Sequence, residues 1–456
     1  MSTLIHGGTL VTGTGQALDN GAIVLKSGRI AEVLERWDRR LGFEGETIDA
    51  SGSIVMPGLI NCHAHGVTSG PLFPSAAPAL PDDAWLGNLD RHLLAGTTTV
   101  LNLCGFATMD QVREANKRHA VRVAGATTHL PSALLAAQRA DGGGLTQREA
   151  HLSVERMLDD GAVAIGELGG GQTLGGGGQD LVYLPATIER RTGVRISQAQ
   201  ARRLKEAVLG RFVDATHADV EELGRAAADA GLTGLIGNAE LAKLVFDTVM
   251  PSVGPAIEGI REGVRAARRF GVPALVHSAS ATAAVLRELM EDPSARGASV
   301  IAAHVNHPSH TPDEALNLAE RGRRRGWASE ASVFDLLHRR HTVTTREHWD
   351  RLLAEPAVVD VLGTDYGHGG DHDELISAVQ DLVARGHRSL GDAVAMVTSA
   401  VVRLIPGLAP ERGELRKGLV ADVVIADAGD FRKVRDVFVA GERVVRGGEL
   451  AAGARR

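Results

Sequence analysis

SIVMPGLINCHAH, residues 53–65, decides the fold. The stretch is continuously apolar rather than alternating, and it ends in two histidines one residue apart. A strand that alternates hides one face; a strand that is apolar throughout is covered on both, as in a parallel sheet. Seven similar runs follow: TTTVLNL (97–103), VRVAGATTH (121–129), AVAIGE (162–167), VPALVH (272–277), SVIAAH (299–304), GWASEAS (326–332) and VVDVLGTD (358–365). Amphipathic helix candidates lie between most of them, at 82–96, 108–120 and 311–325. Eight strand-then-helix units predict an α/β fold, a (β/α)8 TIM barrel, for which about 250 residues is typical. The rival doubly wound sheet is disfavoured, because no G-x-G-x-x-G follows an early strand.

The ends of the chain read differently. Residues 1–55 and 414–456 hold short period-two runs broken by turn residues, among them AIVLKSG, ADVVIAD and VRDVFVAG. They predict one small β-sandwich domain built from both chain termini, enclosing a barrel at 56–413. One connection is oversized. Between Glu167 and Val272 the chain opens with GGGQTLGGGGQD (169–180), offers helix candidates at 197–210 and 217–230, and ends in a barrel helix at 258–271. Residues at about 168–257 are expected to be an insertion on the catalytic face, where barrel loops carry function.

Composition narrows the partners. The 456 residues carry 49 Lys and Arg against 56 Asp and Glu, a net charge of −7, which argues against nucleic acid or an anionic membrane. No run of about 18 apolar residues occurs, so no membrane span is expected. The N-terminus lacks a basic stretch followed by an apolar segment, and two cysteines cannot build a disulfide framework; both suit a cytoplasmic protein. RGRRRG (321–326) reads as a solvated helix terminus. The 18 His outnumber the nine Phe, four Trp and two Tyr combined, and histidine is the commonest metal ligand.

Placement makes that surplus informative. On a strand, residues i and i+2 share a face, so His63 and His65 can grip one cation. Run four ends in Glu167, run five in His277, run six in His304 and run eight in Asp365. Catalytic groups in this fold come from the C-terminal ends of several strands, and all six residues are of metal-binding type. Each has a bland alternative as a turn, cap or core residue, but six together at strand ends point to a metal site.

The chain resembles the amidohydrolase superfamily of metal-dependent hydrolases over nearly its whole length, in VMPGLINCHAH, the ordered strand-end ligands and GELRKGLVADVVIAD (413–427). Within it the pattern is similar to enamidase, which opens a cyclic enamide ring. VAGATTHL (123–130), AIGELGGG (164–171), LVHSAS (275–280), AAHVNH (302–307), WASEAS (327–332) and LGTDYGHGG (362–370) carry that likeness. The resemblance implies two divalent metal ions. His63 and His65 would hold one, His277 and His304 the second, Glu167 would bridge both, and Asp365 would bind the first. Many members bridge with a carbamylated lysine, but no Lys lies between Lys117 and Lys205; mononuclear deaminases show H-x-x-E at strand five, where this chain has His277-Ser278-Ala279-Ser280.

The expected function is therefore cleavage of a C–N bond of a cyclic amide, enamide or related small amide. A metal-bridging hydroxide would attack the carbonyl, with Asp365 as catalytic proton shuttle. An N-acyl deacylase or an aminoheterocycle deaminase is the alternative; a non-enzymatic scaffold would lack several of the six ligands. Zn2+ is expected, with Fe2+ or Mn2+ compatible with the same donors. His129, Glu330, His368 and His372 are substrate-binding candidates, with a buried acceptor role as the alternative for Glu330. His307 and His310 read as loop or helix-cap residues, and Cys62 as core. The substrate is expected to be a small molecule, and the protein a homo-oligomer, dimer or tetramer as in its relatives.

Overall fold

A computed structural model describes residues 2–37, 42–172, 174, 179–338, 344–367 and 372–456. Eight strands form one parallel sheet in sequential order: Leu59–Ala64, Thr97–Asn102, Arg122–Thr127, Ala164–Leu168, Ala274–His277, Val300–Ala303, Ala328–Ser332 and Val361–Gly363. We number them barrel strands one to eight. The sheet closes on itself: Asp365 N donates to His63 O at 2.9 Å, His65 N donates to Tyr366 O at 2.6 Å, and Ala64 bridges Tyr366 in parallel. Inside, Ile60, Cys62, Leu101, Ala124, Ala164, Leu275, Ile301, Ala328 and Val361 form a layer, sealed from below by Val401, Ile405 and Leu408. The eight predicted runs are thus the eight barrel strands, and the interior is a packed core rather than a pore.

The run 53–65 is two strands, not one. Ser53–Pro57 belongs to the other sheet, where it pairs antiparallel with Val423–Asp427 and parallel with Ser2–Val11. The chain breaks at Pro57-Gly58, where Gly58 N donates to Asp422 O at 2.9 Å and Leu59 N donates to Gly96 O at 3.0 Å. Nine strands make this second sheet, with C-terminal strands at one end and N-terminal strands at the other. Period-two alternation divides it between two layers. Val55, Val423 and Ile425 turn into a core with Ile5, Ile23 and Phe438, while Ile54, Met56, Val424 and Ala426 pack toward Trp85, Leu89 and Leu93 of a barrel helix. The molecule is a TIM barrel with a β-sandwich domain assembled from both termini.

After strand four the chain forms helices Leu184–Thr192, Gln198–Leu209 and Val220–Asp229, then one helix of 33 residues, Asn238–Phe270. The helix expected at 258–271 therefore starts twenty residues earlier and passes residue 257 without a break, through Pro251 and Pro255. Proline removes an intrahelical donor and normally ends a helix. Here the carbonyl of Pro251, which loses its partner at Pro255, accepts Arg139 Nη1 at 3.1 Å. Buried Leu241, Val245, Val249, Val253 and Ile260 repeat at helical spacing and hold the element down along its length. No helix among the described residues is long and apolar enough to cross a membrane.

Candidate metal centre

The six strand-end residues meet at the C-terminal mouth of the barrel. Glu167, in strand four, stands between two histidine pairs. Its Oε1 lies 2.9 Å from His277 Nδ1 and 3.0 Å from His304 Nε2; its Oε2 lies 3.6 Å from His65 Nε2 and 3.7 Å from His63 Nε2. Asp365 Oδ1 lies 3.3 Å from His63 Nε2 and 3.4 Å from His65 Nε2. Three overlapping triads have their ligand atoms within 4.8 Å of one another: His63, His65 and Glu167; His63, His304 and Asp365; Glu167, His277 and His304.

The backbone is shaped to permit this. Pairing of strands one and two slips between Asn61 and Ala64, so His63 and His65 do not sit on a regular strand, yet their ring centroids approach to 5.3 Å. Asn61 Oδ1 accepts from His63 N and from Thr364 N, both at 3.1 Å, tying strand one to strand eight beneath the histidines. His304 and Asp365 adopt left-handed backbone angles, φ 35° and 53°, which non-glycine residues take only where their surroundings impose it. His304 N is held by Glu330 Oε2 at 2.6 Å, and Asp365 N by His63 O. Two glycines make room: a Cβ on Gly170 would stand 2.1 Å from Glu167 Oε2, and one on Gly363 would stand 2.6 Å from His63 Cβ.

The charge pattern asks for a cation. Burial pushes Glu167 up, but hydrogen bonds from His277, His304 and His63 and the His63 charge outweigh it and hold the carboxyl well below the usual range. Asp365 is likewise raised by burial and lowered further by the His63 charge and by contacts with His63 and His65. Burial depresses His65, but hydrogen bonds to Asp365 and Cys104 carry it up to about 9. Buried Glu167 and partly exposed Asp365 thus draw protons onto His63, His65 and His304, the positive charge that divalent cations would otherwise supply. His63 Nε2 is buried without an aligned hydrogen bond, 3.7 Å from Glu167 Oε2 and 3.3 Å from Asp365 Oδ1. The donor set fits metal ions.

A family profile described as "Amidohydrolase family" matches residues 54–444. The chain belongs to the amidohydrolase family. As an amidohydrolase it is placed among hydrolases. It is 34% identical over 119 residues to a 5-methylthioadenosine/S-adenosylhomocysteine deaminase of Lawsonia intracellularis, covering 24% of this chain and 25% of that protein. Over 70 residues it is 40% identical to a 5'-deoxyadenosine deaminase of Methanococcoides burtonii, covering 15% of each. The chain thus matches a quarter or less of the length of these curated relatives. Among solved structures it is similar to a D-hydantoinase (TM-score 0.55, 16% identity, 100% of this chain and 97% of that one). It is also similar to a β-aspartyl dipeptidase of Fervidobacterium islandicum AW-1 (0.56, 14%, 99% and 98%). These likenesses show the fold.

The remaining candidates in this amidohydrolase divide. Glu330 is not at the mouth: it is fully buried behind His63, its Oε2 3.1 Å from His63 Nδ1, and it accepts His304 N. Its place on the strand, rather than at the strand's end, puts it behind the candidate ligands as a support. His372 is also buried. It stacks on Tyr366 at 3.7 Å, with Nδ1 2.9 Å from Arg91 Nη1 and Nε2 2.7 Å from Glu374 Oε1. His92 Nδ1 meets the same carboxylate at 3.0 Å. His368 lies outside the described residues. His129 is buried with Nδ1 3.0 Å from Thr127 Oγ1, its ring edge-on to Phe106 and its Nε2 without a partner among the described residues.

His307 lies in a loop, as expected, but its ring also packs 5.5 Å from His304 and 5.8 Å from His277. Cys62 joins the barrel interior with Ile60. Two contributors were not singled out from sequence. Cys104 Sγ approaches His65 Nδ1 at 3.7 Å, and Asn61 locks strand one; only the N-x-H spacing of the latter hinted at it.

Two expectations follow. Glu330→Gln should weaken metal affinity about 10–100-fold, the usual cost of losing a ligand's orienting carboxylate; chelator competition measures it, and unchanged affinity would reduce Glu330 to packing. The second concerns acid. Burial lowers His310 to about 4, whereas an unfolded histidine protonates near 6.5. Between those values the unfolded chain binds the extra proton, so stability is lost as pH falls from about 6.5 toward 4, by roughly 2 kcal/mol at pH 5. Urea unfolding at pH 7 and pH 5 should show His310→Gln losing less than wild type by about that amount; equal losses would remove His310 from the acid limb.

Proposed function

We propose that this chain hydrolyses a C–N bond of a cyclic amide or enamide, or of a related small amide, at a centre of two divalent cations. The observation that carries the reading is Glu167, one carboxylate within 3.7 Å of four imidazoles arranged as two pairs. His63, His65 and Asp365 would hold one cation, His277 and His304 the other, and Glu167 would be shared. Imidazole and carboxylate donors suit Zn2+ first, and Fe2+ or Mn2+ as well. Such cations, when bound, polarise a carbonyl and lower the pKa of water.

The side chains do the rest. Asp365, the most exposed of the six ligands, keeps its carboxyl ionised and ready to accept a proton from attacking water. It then delivers that proton to the departing nitrogen, serving as base and then as acid. Glu330 fixes the His63 ring so that Nε2 faces the centre. His129, lowered to about 4 by burial, stays neutral and offers Nε2 to a polar group of the substrate.

An aminoheterocycle deaminase is the second reading, favoured by the deaminase names of the partial relatives. Against it, the strand-five run has Ser280 where a H-x-x-E motif would place glutamate. Metal analysis together with a screen of lactams, N-acyl compounds and aminoheterocycles separates the readings. Turnover is expected with a lactam or enamide and should fall at least about 100-fold in His63→Ala. Ammonia release from aminoheterocycles alone would favour the deaminase, and undiminished turnover in His63→Ala would sink the metal-centre reading.

A further inference from the structure

A side-chain amide sits on the buried face of the barrel helix Asp82–Leu94, between strands one and two. Trp85, Asn88, Leu89 and His92 line that face at i, i+3, i+4 and i+7. A buried amide is costly unless it is hydrogen-bonded, so the partners of Asn88 are informative. Asn88 Nδ2 donates to Gly66 O at 2.7 Å and to Gly367 O at 3.3 Å, and Asn88 Oδ1 accepts the Tyr366 hydroxyl at 2.5 Å. The two carbonyls settle which way the amide faces, because a carbonyl can only accept.

All three partners adjoin candidate ligands. Gly66 follows His65 beyond strand one, and Tyr366 and Gly367 follow Asp365 beyond strand eight. The two segments lie against each other: His65 N donates to Tyr366 O at 2.6 Å, and a Cβ on Gly66, whose φ is 60°, would collide with Gly367 O. Asn61 ties the same two strands beneath the histidines; Asn88 ties the segments beyond them, from the helix. Asp365 lies between these ties with its left-handed backbone, which persists only where the surroundings impose it. The helix adds ring contacts to the same segment: Tyr366 meets His92 edge-on at 5.6 Å, and the Arg91 guanidinium lies 5.7 Å from the centre of the Tyr366 ring. The two N–H bonds of an amide diverge at a fixed angle, so one nitrogen that holds two carbonyls sets the gap between them.

We propose that Asn88 is a positioning residue for Asp365. By holding Gly66 O and Gly367 O on one nitrogen, it sets the separation of the segments that follow strands one and eight. That separation fixes the reach of Asp365 Oδ1 to His63 Nε2 and His65 Nε2, 3.3 and 3.4 Å in this structure. The purpose of this clasp rests on the hydrolase reading above, in which Asp365 binds a cation and moves the proton; its geometry can be tested without metal.

Asn88→Asp keeps the shape, removes both N–H donors and turns a carboxylate toward two carbonyls. In crystals of the metal-free variant, Asp365 Oδ1 should stand about 1 Å or more farther from His65 Nε2 than in crystals of metal-free wild type, a displacement large enough to disable a catalytic group. In Co2+ titrations followed by visible absorption, the variant should bind about tenfold more weakly, with an altered cobalt spectrum. That loss should vanish when Asp365→Asn is already present, because a residue acting through Asp365 then has nothing left to displace. If Asn88→Asp fails to fold, Tyr366→Phe takes its place: it removes only the hydroxyl that orients the amide, and should give smaller changes of the same sign. An unmoved Asp365, or an equal loss of Co2+ affinity with and without Asp365→Asn, overturns the proposal. A displaced Asp365 with unchanged Co2+ affinity supports the positioning and counts against Asp365 as a metal ligand. Wild type that takes up no Co2+ counts against the metal centre, and the crystallographic distance then decides the role of Asn88 alone.

Discussion

Glu167→Ala should bring metal content from two equivalents to below one and turnover down by about 10³-fold or more. This carboxylate lies between the imidazole nitrogens of both histidine pairs, with each oxygen turned to one pair. Without it the four imidazoles lose their common counter-charge, and cations would have to bind with fewer ligands against unshielded mutual repulsion. Stability carries the same signal. At free metal 100 times its Kd, binding adds about 2.7 kcal/mol to the folded state; a variant weakened 100-fold gains only about 0.4 kcal/mol. The rise in Tm on metal addition should therefore nearly vanish in Glu167→Ala. Glu167→Gln keeps the shape without the charge, and should retain the fold while losing metal. Two tightly held equivalents in Glu167→Ala would refute a shared bridge.

Asp365→Asn should lower kcat by about 10²–10⁴-fold, the range that a positioned acid–base group contributes. Asparagine keeps an oxygen facing His63 and His65, so metal content should fall much less than in Glu167→Ala, and KM should move little. The amide cannot carry a proton from water to a leaving nitrogen. The acid limb of the kcat profile should be set by other groups and stay where it is in the variant: wild-type Asp365 remains ionised to well below the usual carboxylate range. Activity should thus not be lost through Asp365 as pH falls through ordinary carboxylate values. Full turnover in Asp365→Asn would pass the shuttle role to another group.

Much of this architecture was legible in the chain because parallel barrel strands are covered on both faces. VRVAGATTH, VPALVH and SVIAAH are largely apolar and do not alternate for that reason, and each maps onto a strand of the barrel. The candidate ligands were legible because the strand's C-terminal end is where the fold admits polar residues into a buried layer. Local pattern failed where tertiary contacts overrode it. Ser53–His65 reads as one run because both sheets bury their strands equally, and hydrogen bonds to Asp422 and Gly96 divide it at Gly58. Pro251 and Pro255 should end a helix, yet packing along Asn238–Phe270 and a guanidinium on the freed carbonyl carry it through.

The sequence by itself determined the class of protein: eight buried strands, a two-ended β-domain, and six metal-type side chains at strand ends, all properties of periodicity and residue type. Only the tertiary structure decided what stands in front of the centre and what stands behind it. Glu330 and His372 carry the same chemistry as the ligands, but one lies behind His63 and the other beneath Tyr366. The hold of Asn88 on Gly66 and Gly367 joins positions 22 and 279 residues apart. Side-chain chemistry is local and written in order, whereas depth and direction depend on strand register, a slipped pairing and two left-handed residues, which the whole closed barrel imposes.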